Sequence, residues 1–234
     1  NTFSMFSAEM PQPVSVTAHV RNAGAAMHNA KTGGQSVYRF FAADMSAGVA
    51  ERLRLESDLR QALIDGQLEV AYQPMYNLAS GGLRGFEALA RWRHPLLGEI
   101  APTTFIPIAE ETGMIIELTD QLMMRACKQV KTWQRRSPST TELKLQFNLS
   151  SNDLAHSALA ERIEHVLVSS QLEARLLTLE LTENILMERV EGAMPALETL
   201  RRIGVSLAID DFGTGYSSLS YLSTLPIDSL KIDR

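Results

Sequence analysis

Acidic and amide side chains recur in one kind of setting in this sequence. Glu87 in GFEALARW, Asn148 in LKLQFNLS, Glu180 with Glu183 in LLTLELTE, Asp210 with Asp211 in VSLAIDDFG, and Lys231 with Asp233 in SLKIDR each stand in or at the end of a short apolar run. A carboxylate inside a run such as LAIDDF is costly to bury unless an opposite charge or a metal answers it. Glu87, Asn148, Glu180, Asp210 and Asp211 offer oxygen only, the ligand type suited to Mg²⁺ and Mn²⁺ rather than zinc. Adjacent aspartates repel unless a cation sits between them. Two such ions would suit phosphodiester hydrolysis, one activating water and the other neutralising charge on the phosphoryl and leaving oxygens. Lys231 would add a further positive charge. Salt bridges at a barrel rim would explain any one of these acids more readily than all four together with Asn148.

The elements that must gather these groups follow from the apolar pattern. From Leu68 onward, strand-like runs (EVAYQPMYNL, LRGFEALARW, LKLQFNLS, LLTLELTE, VSLAIDDFG, SLKIDR) are separated by helical stretches such as FIPIAEETGMIIELTDQLMMRACKQVKTWQ, LAERIEHVLVSS and AMPALETLRRIG. Strands alternating with helices predict a parallel α/β fold, with six strand candidates open to a barrel or a doubly wound sheet. In a barrel the loops after the strands collect at one face, which would bring the scattered acids together. Before Leu68, HVRNAGAAMHNAK reads as a helix closed by Gly33 and Gly34, SVYRFF as a strand, and AGVAERLRLESDLRQALIDG as a linker helix with Val49, Leu53, Leu59 and Leu63 near one stripe.

Composition narrows the function classes. The chain has 234 residues, 45% of them hydrophobic, which excludes a disordered or collagen-like polymer. Lys and Arg total 22 against 27 Asp and Glu, a net charge of -5, so a sequence-blind grip on DNA or RNA is not expected. No apolar run approaches the ~18 residues of a membrane span, and one cysteine cannot form an internal disulfide. Cytoplasmic residence is therefore expected, unless an anchor lies outside this chain. Cys127 falls on a helical stripe and reads as a buried thiol.

Other motifs have plainer readings. Gly213 and Gly215 are a fragment of a dinucleotide fingerprint without its third glycine. His19, His28, His94, His156 and His165 show no metal-ligand spacing, and His94 beside Pro95 reads as a loop residue. Trp92 and Trp133 suit packing, and Ser150 and Ser151 lack a credible histidine base, so a serine nucleophile has little support.

Taken in order and spacing, Gln73 in AYQP, Glu87-Ala88-Leu89 in GFEALARWRHP, FIPIAEETG, Asn148-Leu149-Ser150, LELTE, DDFGTGYSSLSYL and LPIDSLKID resemble the EAL family of cyclic di-GMP phosphodiesterases. The likeness covers roughly Leu59 to Arg234. The earlier stretch RNAGAAMHNAKTGGQSVYRFF is similar to the end of a GGDEF diguanylate cyclase domain, with Gly24 and His28 where that family usually has Asp and Tyr.

These resemblances imply a GGDEF-like tail over 1–44, a linker helix over 45–67, and over 68–234 an EAL domain of TIM-like (β/α)8 barrel type, incomplete at about six strands. They imply that Glu87, Asn148, Glu180 and Asp210 hold one Mg²⁺ or Mn²⁺, with Asp210 shared and Asp211 on a second ion. Lys231 would orient the attacking water or a phosphate, Arg91 would bind phosphate, and Gln73 and Leu89 would line the guanine nucleotide. Glu183 would secure the loop DDFGTGYSS, which the family uses to order the metal site and to form homodimers; Gly213 and Gly215 would give that loop mobility, and Ser217 or Ser218 a helix cap. The implied activity is hydrolysis of cyclic di-GMP to linear pGpG. The alternative is an EAL module that only binds the dinucleotide as a sensor, and retention of the whole acidic set favours the enzyme. The family pattern continues past Lys231 with a strand bearing a further glutamate, in a motif like EGVE, and another ending in QGY. Neither is in this sequence, so the chain is expected to be part of a longer protein, and alone to be poorly soluble and inactive.

Overall fold

A computed structural model describes residues 43–136, 142–213 and 225–232. The predicted GGDEF-like helix and strand, together with Gly215, Ser217, Ser218 and Asp233, lie outside the described residues. The chain divides into two compact units, Asn1–Ser57 and Asp58–Arg234. Helix α1 (Ala43–Asp65) crosses that boundary. Its part from Asp58 onward belongs to the second unit, where Leu59, Ala62 and Leu63 are buried.

The second unit is built on a seven-stranded sheet of β1 (Leu68–Tyr76), β2 (Leu83–His94), β3 (Gly98–Ile100), β4 (Lys144–Asn148), β5 (Leu177–Thr182), β6 (Ser206–Phe212) and β7 (Ser229–Ile232). The order is β1-β2-β4-β5-β6-β7, with β3 paired to β2, and β1 and β7 at the two ends of that path. The expected all-parallel arrangement needs correcting. β1 and β2 form an antiparallel hairpin, and only β2, β4, β5, β6 and β7 run parallel. The hairpin follows from NLASGG: the Asn77 carboxamide oxygen accepts from the backbone N–H groups of Ala79 and Ser80, and Gly81 takes a positive φ of 66°.

The long helical run after β3 is two helices, α2 (Pro102–Thr112) and α3 (Ile115–Arg136), because Gly113 ends the first with φ 75°. Helix α3 buries Leu118, Leu122, Met123, Ala126, Cys127 and Val130 at three- and four-residue spacing. There Cys127 is fully buried and its thiol is pushed up to about 12 by desolvation. Arg125 reaches from the same helix to the carbonyls of Gly66 and Leu68, fixing the entry to β1. Short helix α4 (Ser151–Ala155) and helix α5 (Leu159–Ser170) follow β4, and α6 (Glu183–Ile203) follows β5. Glu183, read with the preceding strand, is the first residue of α6. No described helix is long and apolar enough to cross a membrane.

Packing accounts for the tryptophans. Trp92 is fully buried, edge-on to Phe105 at 5.8 Å, and Trp133 joins Tyr72 and Phe86. His94 is not a loop residue, as its sequence neighbour suggested. It is the buried end of β2, with Nε2 3.2 Å from Asp58 Oδ2 and Nδ1 accepting from Leu96 and Leu97.

Candidate metal centre

The parallel strands carry their polar groups to one place. Gly85 lets β2 approach β4, because a Cβ there would be driven into the backbone carbonyl of Lys144. Two residues on stands Glu87, and the register sets Asn148 beside Glu180 and Thr182 beside Asp210 on neighbouring strands. β7 then brings in Lys231 from the far side of β6.

Lys231 Nζ donates to Glu180 Oε2 at 2.7 Å, Asp210 Oδ2 at 3.1 Å and Glu87 Oε2 at 3.2 Å. Glu87, Glu180 and Asp210 each offer one oxygen, and these oxygens all lie within 4.8 Å of one another. Asn148 Nδ2 donates to Glu87 Oε1 at 3.0 Å, so the bond uses the amide nitrogen and not Oδ1. With the three acids ionised, one ammonium leaves two negative charges unanswered, the charge of one divalent cation.

Glu180 is the most constrained of the set. β5 is buried on both faces, so this carboxyl is 0% exposed, and its Oε1 has no hydrogen-bond partner among the described residues. Burial pushes its carboxyl up to about 7 despite the hydrogen bond and charge of Lys231, with Glu87 and Asp210 adding to the rise. Burial works against the Lys231 ammonium, but Glu180, Asp210 and Glu87 together hold it above the ordinary lysine value. A buried carboxyl with one oxygen lacking a donor, clustered with two further acids, fits a hard cation. Glu87, Glu180 and Asp210, with the Asn148 amide oxygen, suit Mg²⁺ or Mn²⁺ by donor type.

Asp211 falls outside this three-acid set. It is exposed at φ 55°, where the β6–β7 register shifts between Ile209 and Phe212, and its N–H donates to Asp210 Oδ1 at 3.0 Å. Glu183 is buried and its Oε2 accepts from the Gly213 N–H at 2.9 Å, tying the start of α6 to the end of β6. Gln73 is exposed on β1 directly opposite Glu87. Leu89 and Arg91 share the Glu87 face of β2 and line a cavity of about 300 Å³ with Ile106, Glu110, Phe147 and Asn148. Arg91 donates to the Ala90 carbonyl at 2.8 Å and lies 3.7 Å from Glu99.

One functional support escaped the sequence reading. Fully buried Asp153 accepts from Ser150 Oγ at 2.7 Å, Thr119 Oγ1 at 2.9 Å and Arg162 Nη2 at 3.1 Å. Arg162 also bonds Asp120 and the Ile116 carbonyl. Ser150 caps α4 in a reciprocal box with Asp153, which fixes the backbone just after Asn148. The Ser-x-x-Asp spacing was the readable signal.

The EAL domain family model matches residues 56–234. The chain belongs to the EAL family. This EAL chain is 43% identical over 215 residues to the cyclic di-GMP phosphodiesterase NbdA of Pseudomonas aeruginosa, covering 92% of this chain and 27% of NbdA. It is 42% identical over 213 residues to the bifunctional diguanylate cyclase/cyclic di-GMP phosphodiesterase MucR of the same organism, covering 91% of this chain and 31% of MucR. It thus spans less than a third of either relative. The solved phosphodiesterase structure of MucR in complex with c-di-GMP superposes with TM-score 0.73 at 41% identity, over 77% of this chain and 72% of that one.

Proposed function

We propose that this EAL chain is the catalytic part of a phosphodiesterase that hydrolyses cyclic di-GMP to linear pGpG. The observation that carries the reading is the convergence of Glu87, Glu180, Asp210 and Lys231, with the second oxygen of buried Glu180 left without a partner among the described residues. Kinship with NbdA and MucR supports the substrate.

Glu87, Glu180, Asp210 and the Asn148 amide oxygen would hold one Mg²⁺ or Mn²⁺, and Asp211 would serve a second. Bound cations supply Lewis acidity, drawing charge from the phosphoryl oxygens and easing loss of a proton from water. The chain's own residues do the rest. Arg91 at the cavity wall binds a phosphate oxygen, while Leu89 and Phe147 shelter a guanine and Gln73 meets it from β1. Lys231 presents its ammonium to the attacking water or to a phosphate oxygen, and Glu183 holds the end of β6, and so Asp210, through Gly213. In the reaction a water oxygen bonds to phosphorus as one ring P–O bond breaks, and a proton from that water ends on the freed sugar oxygen, leaving the dinucleotide linear.

The same reading extends to the architecture. The sheet is an arc of a (β/α)8 barrel. The segment ahead of α1 is the end of a GGDEF-like domain, supported by alignments to NbdA and MucR that are longer than the family span and so reach upstream of it. Homodimerisation through the EAL part rests on the resemblance of the DDFGTGYSS loop, and sedimentation would check it. Cytoplasmic residence agrees with a single buried cysteine.

Incubation with cyclic di-GMP of a protein in which this chain is continued by the family's glutamate-bearing and QGY strands tests the activity. Mg²⁺ or Mn²⁺ should support release of pGpG, whereas Ca²⁺, with longer and looser coordination, should bind and inhibit. Undiminished turnover in excess chelator would refute the metal assignment, and stoichiometric binding without any product would favour the sensor.

A further inference from the structure

Lys231 engages the same three carboxylates that a cation would use. Its Nζ lies within hydrogen-bond reach of Glu180, Asp210 and Glu87, and those are the acids whose oxygens close to within 4.8 Å of one another. An ammonium bonded to all three acids and a divalent cation held by the same oxygens would repel each other strongly where water is partly excluded. The two partners also differ in freedom. Glu180 is 0% exposed on a strand buried on both faces, so it cannot retreat. Lys231 is 29% exposed, sits on the last strand of the described path, and has a flexible four-carbon stem with rotatable donors.

The geometry points to Lys231 as an internal counter-ion that occupies the cation's place in the metal-free protein and is displaced when metal binds, freeing its ammonium for the substrate's phosphate. This rests on the metal-dependent reading above and adds an order of events to it. Without the ammonium, three acids would face one another around a buried oxygen with nothing to answer them, so the lysine keeps the empty site folded. Metal loading then takes over that task and releases the lysine to the one position where catalysis needs a positive charge. A protein lacking metal would therefore have its phosphate-facing lysine turned inward as well as lacking Lewis acid.

Lys231→Met, which keeps length and removes charge, tests this without any turnover assay. Titration of Mg²⁺ and Mn²⁺ by calorimetry should show the variant binding either ion roughly tenfold more tightly than wild type, since no resident cation has to leave. In chelator the variant should melt several degrees below wild type, and saturating metal should narrow that gap. A second measurement uses wild type alone: acylation of lysine amines read by mass spectrometry should label Lys231 slowly in chelator and faster once Mg²⁺ is bound. It decides the matter if Lys231→Met does not fold. Equal or weaker metal affinity in the variant, or labelling of Lys231 that metal leaves unchanged or slows, would overturn the counter-ion role alone. Failure of wild type to bind either ion would overturn both this role and the metal-dependent function.

Discussion

Two clusters of charge are buried in the second unit, and they solve the same electrostatic problem in opposite ways. Around Asp153, every carboxylate oxygen has a donor: Oδ2 takes Ser150 and Thr119, and Oδ1 takes Arg162. Around Glu180, one oxygen takes Lys231 and the other has no partner among the described residues, while Glu87 and Asp210 crowd the same ammonium. Both carboxyls are 0% exposed. An acid with a donor on each oxygen belongs to a cluster that stabilises the fold, and the buried side-chain atom left without a partner there, among the described residues, is a donor, Arg162 Nη1. A buried acid with a vacant oxygen and like-charged neighbours is arranged for something that arrives.

The strongest way to break this contrast is to truncate one member of each cluster. Asp210→Ala should lower turnover by more than the roughly 10- to 100-fold that groups behind a metal ligand cost, and metal binding should fail with it. Its melting temperature should hold or rise slightly in chelator, because one of three acids competing for a single ammonium has gone. Asp153→Ala should do the reverse. Taking the acceptor from Ser150, Thr119 and Arg162, while Arg162 keeps Asp120, should cost roughly 1–3 kcal/mol in denaturant unfolding, and the folded fraction should still bind Mg²⁺. Should Asp210→Ala unfold the protein and Asp153→Ala leave it stable, the assignment of the two clusters would be reversed.

Arg91 probes a third situation, a charge at a cavity wall that is neither sealed nor crowded. Its nearest acid, Glu99, lies 3.7 Å away and is itself mostly exposed, so little structural energy depends on the pair. Arg91→Ala should raise KM roughly tenfold or more, the size of a lost hydrogen bond to a charged group, and leave metal affinity alone. An unchanged KM would remove Arg91 from the substrate site.

The sequence exposed the crowded cluster far better than the satisfied one. Glu87, Glu180 and Asp210 could be read because acids interrupt apolar strand runs, and a charge in such a run announces its cost. Lys231 could be read for its type, but not its bonds to three acids on three other strands, which depend on a register that no single segment contains. Asp153 and Arg162 lie on helical stretches where charged residues are ordinary, so nothing local showed that one is sealed and the other reaches across three elements. The hairpin is legible in NLASGG, although the regular alternation downstream suggests parallel strands throughout. β3, three residues long, had no periodicity to display.

The smallest expected effect falls where the two clusters meet. Ser150 follows Asn148 by two residues, and its hydroxyl both accepts from the Asp153 N–H at 3.1 Å and donates to the Asp153 carboxylate at 2.7 Å. Ser150→Ala removes that cap but leaves Asp153 with its Ser150 backbone, Thr119 and Arg162 donors. The loss should be close to that of a helix cap, about 1 kcal/mol, or roughly 2–4 °C in melting temperature for a chain of this size. If the satisfied cluster only supports the fold, metal affinity should stay within about twofold of wild type, because β4 is held by its pairing to β2 and β5. A roughly tenfold loss of metal affinity at the same small stability cost would show instead that Asp153 aims Asn148 through Ser150. The two clusters would then act as one unit, the satisfied half orienting a ligand for the vacant half.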